Sequence, residues 1–463
     1  MRYRPALDGV RGLCMVGVLL GHLVIFGGVG LTFNTHVAAP FEGMELGLTV
    51  FFVLSGALIT HLLLNEMERT GRVDMRAFRI RRVRRLAPAA VMILIATATL
   101  WLTGVRDLVT PLGPHPWLVI GSVVFLSSNW LLFSQTYSLG YLTPTWSLTV
   151  EEQFYVGWPL LLSRCWRRVG AGGAALFAVS LLLCGQALSI LLSGRDEYAT
   201  YATPVSGVGL LVGCLLAIGL HSGIKPRLVA VLRHPAPAAL AAVGMGFGAR
   251  WLHFHEQVGL HGGYFVFDVV TAIVIGHLLV VEPRQGVVAR VLGFGPFAYL
   301  GRISYGAYLF HATIYQMWDR SLLLPNLWVR GTVDVCSTLI AASITYVLIE
   351  EPIRRGRMSW RAPRVTGART ADRPVPAAPP AAPIGRPVFL PPAPVVAQSP
   401  VRPVVAPAWP AVIDLRDTVP APAGVVAPVV PPPRLGDEPS GWSTPNLVPA
   451  AAATDTSREI ART

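Results

Sequence analysis

The feature that most constrains this chain is a series of apolar runs long enough to cross a bilayer as helices. The first of them, residues 7–23, reads LDGVRGLCMVGVLLGHL. A membrane-spanning helix needs about 20 predominantly apolar residues. Only 14% of the residues are charged, whereas soluble globular proteins have about 25%. A transmembrane β-barrel would instead show short segments of alternating polarity. We therefore predict an all-α polytopic membrane protein.

The distribution of arginine among the apolar runs predicts the topology. Ten candidate spans lie near residues 10–30, 45–64, 87–104, 146–163, 172–192, 204–220, 235–252, 263–281, 298–318 and 331–350. If the further apolar segment 117–133 does not cross, all basic connecting segments share a side with Arg2 and Arg4, as the positive-inside rule requires. We predict ten spans in the plasma membrane, both termini cytoplasmic, and segment 117–133 re-entrant or at the outer interface.

The net charge of +13 has the same explanation, because the basic residues are nearly all arginines placed between apolar runs. Orientation in the lipid bilayer accounts for them, and we expect no nucleic-acid partner. The composition changes after the last apolar run, where Pro, Ala and Val dominate. Dense proline prevents helices and sheet ladders. We predict a membrane domain over residues 1–358 and a disordered cytoplasmic tail over residues 359–463.

The first span carries ionisable residues on one face. Arg11 and His22 are eleven residues apart, which is about three turns and ~16 Å along a helix axis. Asp8 precedes Arg11 by three residues and can pair with it. An ionisable residue inside a span is costly and indicates function. A polar side chain can also serve as a hydrogen bond between helices, and on this helix alone His22 fits both interpretations.

The segment FRIRRVRRLAP, residues 78–88, contains five arginines in seven residues. Part of this charge serves orientation and contact with lipid headgroups. The density exceeds what orientation needs, and the guanidinium fork binds phosphate bidentately. Arg81, Arg82 and Arg85 are therefore candidates for binding a polyphosphate ligand that arrives from the cytosol.

Two other segments place polar side chains inside spans. In TPTWSLTVEEQFY, residues 143–155, Ser147 and Glu151 are four residues apart and lie on one helix face. A carboxylate there could orient a histidine or an incoming hydroxyl, although the spacing of Thr149 and Glu152 is also that of a capping box. In LGRISYGAYLFH, residues 300–311, His311 is a second mid-span imidazole and a candidate catalytic residue.

Neighbouring positions favour a structural interpretation. Tyr305 and Tyr308 are typical of interfacial or packing residues. Ser55 and Gly56 interrupt the apolar segment FFVLSGALIT, and small residues allow close helix packing. No nucleophile elbow surrounds Ser55, so we predict a packing notch there.

The order of these segments resembles the membrane-bound acyltransferase-3 family over about residues 4–355. The segments are R-x10-H, FFxxSGxLI, RRxxRLxP, WSLxxEexFY, iSYgxYLxH and a closing EEP. The resemblance implies a ten-span enzyme that moves an acyl group, usually acetyl, from cytosolic acyl-CoA to a hydroxyl. The acceptor it implies is a carbohydrate or another glycosylated molecule. No metal is expected.

The resemblance also assigns roles. The family motifs map onto Arg11 and His22, onto Arg82 and Arg85, and onto Ser147 and Glu151. The arginine pair then binds the CoA phosphates, and Arg11 lies along the CoA path. His22 acts as general base on the acceptor hydroxyl, or as a transient acyl carrier. Glu151 holds the imidazole in its useful tautomer.

Two other functions fit part of the pattern. A transporter or flippase of acyl groups or lipid-linked sugars would also use intramembrane His, Glu and Arg as a proton relay. The sequence shows no inverted repeat or pair of broken spans that would favour it. A scaffold with a proline-rich docking tail leaves the ionisable residues in the spans unexplained. The acceptor, the acyl chain and the oligomeric state do not follow from the sequence.

Overall fold

A computed structural model describes residues 4–26, 43–103, 115–195, 197–223, 226–254, 256–281, 286–319 and 326–355 of the 463-residue chain. These residues form helices and no β-strand, which confirms the all-α class. The helices of six or more residues are α1 (Pro5–Phe26), α2 (Gly47–Thr70), α3 (Met75–Leu102), α4 (Pro116–Val124), α5 (Ser128–Phe133), α6 (Thr145–Leu192), α7 (Thr203–Ser222), α8 (Pro226–Arg233), α9 (Pro235–Phe254), α10 (Tyr264–Val280), α11 (Val287–Leu292), α12 (Gly295–Asp319) and α13 (Leu327–Thr345). After α13 the chain continues through a π-helical stretch, Tyr346–Glu350, into a short helix, Glu351–Arg354. The predicted tail, residues 359–463, lies outside the described residues.

By length and hydropathy, the described residues contain seven membrane-crossing helices, or eight if α8 and α9, bent by 66°, form one span. Each of the ten predicted spans nevertheless overlaps a helix. The ten predicted spans exceed the eight crossing helices because of α6 and α12. α6 has 48 residues and a length of about 72 Å, more than twice the ~30 Å core of a bilayer. It contains two predicted spans, which meet at Gly170, where φ is 68°. α12 has 25 residues, but polar side chains interrupt it.

Segment 117–133 does not form a continuous span. It consists of α4 and α5, which are separated at Leu126, where φ is 54°. The nine residues of α4 extend about 14 Å, less than half of a ~30 Å bilayer core. The segment packs on protein, since Asn129 Nδ2 donates to the carbonyl oxygen of Tyr201 at 2.9 Å. This agrees with the prediction that it makes no full crossing.

The outer surface of the helices is strongly apolar. Leu191 and Phe247 each expose 76% of their surface, and Leu240 exposes 74%. Apolar surface of this extent marks contact with a membrane. Together with the long apolar helices, it identifies a multi-pass membrane protein.

Two helix pairs approach each other closely through glycine. α1 packs on α12, and α2 packs on α7. A Cβ atom on Gly301 of α12 would lie 1.8 Å from the carbonyl oxygen of Asp8, and one on Gly56 of α2 would lie 1.9 Å from that of Leu210. Small residues permit this approach between membrane helices. Gly56 therefore has the packing role that its sequence context predicts.

We expect Gly301→Ala to destabilise the protein, because the new methyl group overlaps the Asp8 carbonyl and forces α1 and α12 apart. Overpacking of this kind costs roughly 1–3 kcal/mol. Thermal unfolding of the purified protein in detergent measures the change. Gly295→Ala, on the same helix, is the control, because a Cβ atom at that position meets no described atom within 4 Å. Equal unfolding temperatures of the two variants would contradict this account of the packing.

Helix ends that are predicted to share a side of the membrane are neighbours in the structure. The Arg4 guanidinium, before α1, donates to the carbonyl oxygen of Leu278 in α10 at 2.9 Å. His221 at the end of α7 lies 4.0 Å from Glu68 at the end of α2, and its ring is 5.5 Å from that of Trp166 in α6. α10 packs on both α2 and α7. We call this end of the bundle, which carries the arginine-rich turns, the basic end.

Candidate active site

A cavity of about 700 Å³ enters the bundle from the basic end. Its lining includes five arginines, namely Arg11, Arg69, Arg81, Arg82 and Arg85. We call it the arginine cavity. It brings together the four arginines predicted to bind the donor and adds Arg69 from α2. The predicted ion pair of Arg11 is present, with its Nη1 atom 3.1 Å from Oδ1 of Asp8.

Helix periodicity explains why α3 delivers these arginines to one place. Asp74 caps the helix, and its carboxylate accepts a hydrogen bond from the backbone N–H of Ala77 at 2.9 Å. With the start fixed, residues 78, 81, 82 and 85 fall on one face, and all four line the cavity. Arg79 and Arg84 belong to the same basic segment but do not belong to the lining.

Tyr155 connects Arg82 with Glu151. The Arg82 guanidinium carbon lies 3.5 Å from the centroid of the Tyr155 ring, a cation–π contact. The Tyr155 hydroxyl donates to Oε1 of Glu151 at 3.0 Å. Ser147 and Glu151 both line the arginine cavity, as their spacing predicts. The hydrogen bond that the structure shows for Glu151 goes to Tyr155, one turn along α6, and its predicted role in orienting His22 stays a prediction.

A second cavity, of about 330 Å³, lies at the opposite end of the bundle. Its lining includes His22 together with Thr143 before α6 and Tyr201 before α7. Leu48, Phe52 and Tyr308 line both cavities, so the two meet there. Within the described part of the chain, no three His, Cys, Asp or Glu side chains gather as a metal site.

His22 and His311 form a hydrogen-bonded pair beside the second cavity. His311 Nε2 lies 3.0 Å from His22 Nδ1, and His311 Nδ1 lies 2.5 Å from the carbonyl oxygen of Tyr308. A carbonyl can only accept, so in the neutral ring Nδ1 of His311 carries the proton and Nε2 accepts. His22 Nδ1 then donates, which puts the lone pair of His22 on Nε2. This is the tautomer that a general base requires.

Tyr308 links this histidine pair to Ser147. Ser147 Oγ donates to the carbonyl oxygen of Pro144 at 3.3 Å and lies 2.8 Å from the Tyr308 hydroxyl, which therefore donates to Ser147. The Tyr308 hydroxyl is thus hydrogen-bonded to Ser147 of α6, and its backbone carbonyl is hydrogen-bonded to His311. The sequence interpretation assigned Tyr308 to packing or to the interface. Its spacing of three residues from His311 places both on one face of α12 and is the signal that could have identified it.

A family model described as an acyltransferase domain matches residues 4–349. Similar proteins include O-acetyltransferase OatA of Staphylococcus aureus, 28% identical over 381 residues that cover 76% of this chain and 58% of the relative. The putative peptidoglycan O-acetyltransferase YrhL of Bacillus subtilis is 30% identical over 369 residues, 76% of this chain and 55% of the relative. Peptidoglycan O-acetyltransferase OatA of Listeria monocytogenes is 28% identical over 379 residues, 76% of this chain and 56% of the relative.

The chain spans a little over half the length of these curated relatives, and no solved structure matches it. The family model covers most of the chain, including both histidines of the pair and every arginine of the arginine cavity. It confirms the family resemblance of the ordered motifs and favours an enzyme over a transporter or flippase. The chain belongs to the acyltransferase-3 family.

Proposed function

We propose that this protein transfers an acetyl group from acetyl-CoA to a hydroxyl group on the glycan strands of peptidoglycan. The observation that carries the proposal is the His22–His311 pair, which lies beside the meeting point of the arginine cavity and the second cavity. The choice of acceptor comes from the relatives, two of which are named for peptidoglycan O-acetyl transfer.

The arginine cavity suits the phosphate-rich head of acetyl-CoA. Guanidinium groups bind phosphate through two parallel hydrogen bonds, and five of them line this cavity. Nε of Arg82 is buried and has no hydrogen-bond partner among the described residues, so it has a donor to offer to a ligand. The volume of about 700 Å³ lies within the ~300–1,000 Å³ of small-molecule sites. The thin pantetheine arm would extend from the arginines toward Tyr308, where the second cavity begins.

His22 would act as the general base. Its Nε2 takes the proton from the acceptor hydroxyl as the oxygen attacks the thioester carbonyl carbon. A C–O bond forms and the C–S bond breaks, and the departing CoA sulfur receives the proton back from His22. His311 is a positioning residue, since it accepts from Nδ1 of His22 and fixes the tautomer. The step needs no oxidant or further reactant.

Glu151 has a different role in this proposal from the one that its motif predicts. Its carboxylate holds the Tyr155 hydroxyl, and the Tyr155 ring lies under the Arg82 guanidinium. Glu151 would therefore position Arg82, which binds the donor. It would not determine the tautomer of His22. Ser147 would position Tyr308 through their shared hydrogen bond.

The proposed orientation places the basic end in the cytosol, where acetyl-CoA is made. Arginine-rich turns favour the cytoplasmic side of a membrane, and the arginine cavity lies at that end. The second cavity then faces the outer side, where the cell wall lies. The plasma membrane is the location that this arrangement requires.

The acetyl ester content of purified cell wall tests the proposed function. A strain that lacks this protein should lose alkali-labile acetate from its peptidoglycan. The wild-type chain should restore it, and a His22→Ala chain of equal abundance should not. Acetate that disappears from another glycan instead would overturn the choice of acceptor. No change in any acetyl ester would overturn acetyl transfer itself.

A further inference from the structure

Among the described residues, one acidic side chain lies in the wall of the second cavity. Asp268, on α10, is 3% exposed and lines this cavity. Its Oδ1 atom is fully buried and has no hydrogen-bond partner in the described part of the chain. A buried polar atom without a hydrogen-bond partner is costly, so this oxygen calls for a ligand or another function.

The neighbouring helix leaves room for this carboxylate. Gly209 of α7 also lines the second cavity. A Cβ atom on Gly209 would lie 2.9 Å from Oδ1 of Asp268 and 3.3 Å from its Cγ atom. Any larger residue at position 209 would therefore displace the carboxylate group. Its location depends on glycine at this point of α7.

The remaining lining combines aromatic rings with hydroxyl groups. Trp146, Tyr201 and Tyr264 all line the second cavity. The rings of Trp146 and Tyr201 are 5.0 Å apart and nearly perpendicular, at 80°. Among the described residues of the lining there is no Lys or Arg, in contrast to the arginine cavity. Aromatic faces pack against apolar surfaces, such as the C–H face of a sugar ring, and a carboxyl group forms hydrogen bonds with hydroxyl groups.

We infer that Asp268 binds hydroxyl groups of the sugar acceptor and holds the sugar ring in the second cavity. The inference rests on the proposed function and adds the residue that recognises the acceptor. The carboxylate accepts from sugar hydroxyls that flank the reacting one, while the aromatic side chains contact the face of the ring. The second cavity has no Lys or Arg among the described residues of its lining, so the phosphates of the donor find their cationic partners in the arginine cavity.

Kinetics of the full chain in liposomes test this inference. The donor is acetyl-CoA, and the acceptor probe is soluble peptidoglycan glycan released by muramidase. Asp268→Ala should raise the KM for glycan about tenfold, as expected when a buried hydrogen-bond partner is lost. The KM for acetyl-CoA should stay within about twofold of wild type. Thr271→Val is the control, because Thr271 is buried on the same helix, its Oγ1 also lacks a partner among the described residues, and it does not line the cavity.

Gly209→Ala supplies a second, independent variant. This variant keeps the carboxyl group of Asp268 but displaces it, so it should also raise the KM for glycan. It therefore tests the inference if Asp268→Ala does not fold. An unchanged KM for glycan in both variants, with active wild type, would overturn the role of Asp268. A fall in kcat at unchanged KM would overturn it too and would indicate proton transfer instead. Wild-type protein that transfers nothing to glycan would contradict the proposed function rather than this inference.

Discussion

His22→Ala should reduce acetyl transfer by about a thousandfold, within the ~10²–10⁴-fold that a general base contributes. The hydrogen bond to His311 puts the lone pair of His22 on Nε2, and alanine removes that lone pair. Transfer from acetyl-CoA to glycan by the purified protein in liposomes measures the loss. His61→Ala is a matched control, because His61 lies in α2 and lines neither cavity. Transfer at the wild-type rate by His22→Ala would contradict the assignment.

Variants of His311 distinguish a base from the group that positions it. His311→Ala should lower kcat less than His22→Ala, because Nε2 of His22 remains but its tautomer is no longer fixed. His311→Gln should recover part of the rate, because the amide oxygen can accept from Nδ1 of His22. Equal activity of the Ala and Gln variants would count against a role through this hydrogen bond.

The second large effect concerns the donor. Arg82→Ala combined with Arg85→Ala should raise the KM for acetyl-CoA about a hundredfold or more, since hydrogen bonds to charged groups contribute ~1.5–3 kcal/mol each. The KM for glycan should hardly change. Acetyl-pantetheine, which lacks the nucleotide, should be used equally poorly by the variant and by wild type, because it has no phosphates for these arginines to bind.

Arg84→Ala is the matched control for charge alone, because Arg84 lies on the same helix but outside the cavity lining. It should leave the KM for acetyl-CoA near the wild-type value. If Arg84→Ala and the double variant behave alike, the effect arises from surface charge. An unchanged KM in the double variant would show that these arginines do not bind the donor.

The helices and the basic cluster could be predicted because they depend on local sequence. Apolar length determines where a chain crosses a bilayer, and periodicity determines that Arg82 and Arg85 share a face. The partner of His22 could not be found in this way. His311 is 289 residues away, and the spacing within one helix does not reveal which helix packs against it. The spacing within α6 also does not reveal that Glu151 accepts a hydrogen bond from Tyr155, and its predicted role toward His22 stays a prediction.

The second cavity could not be predicted either, because the sequence does not reveal which helices pack together. Its lining comes from separate helices and loops, with Trp146, Tyr201 and Asp268 far apart in the sequence. Asp268 is the acidic residue of a mainly apolar helix, YFVFDVVTAIVIGHLLV. An ionisable residue in such a helix indicates function, and that signal was present in the sequence.

The boundary formed by Leu48, Phe52 and Tyr308 has a consequence for the cell as well as for the reaction. In the proposed orientation, neither substrate has to cross it, because only the carbonyl group being exchanged reaches the boundary. The aliphatic and aromatic side chains there offer little to replace the hydration shell of an ion. In the proposed function the acetyl group reaches the cell wall as an ester, and the nucleotide of the donor stays in the cytosol.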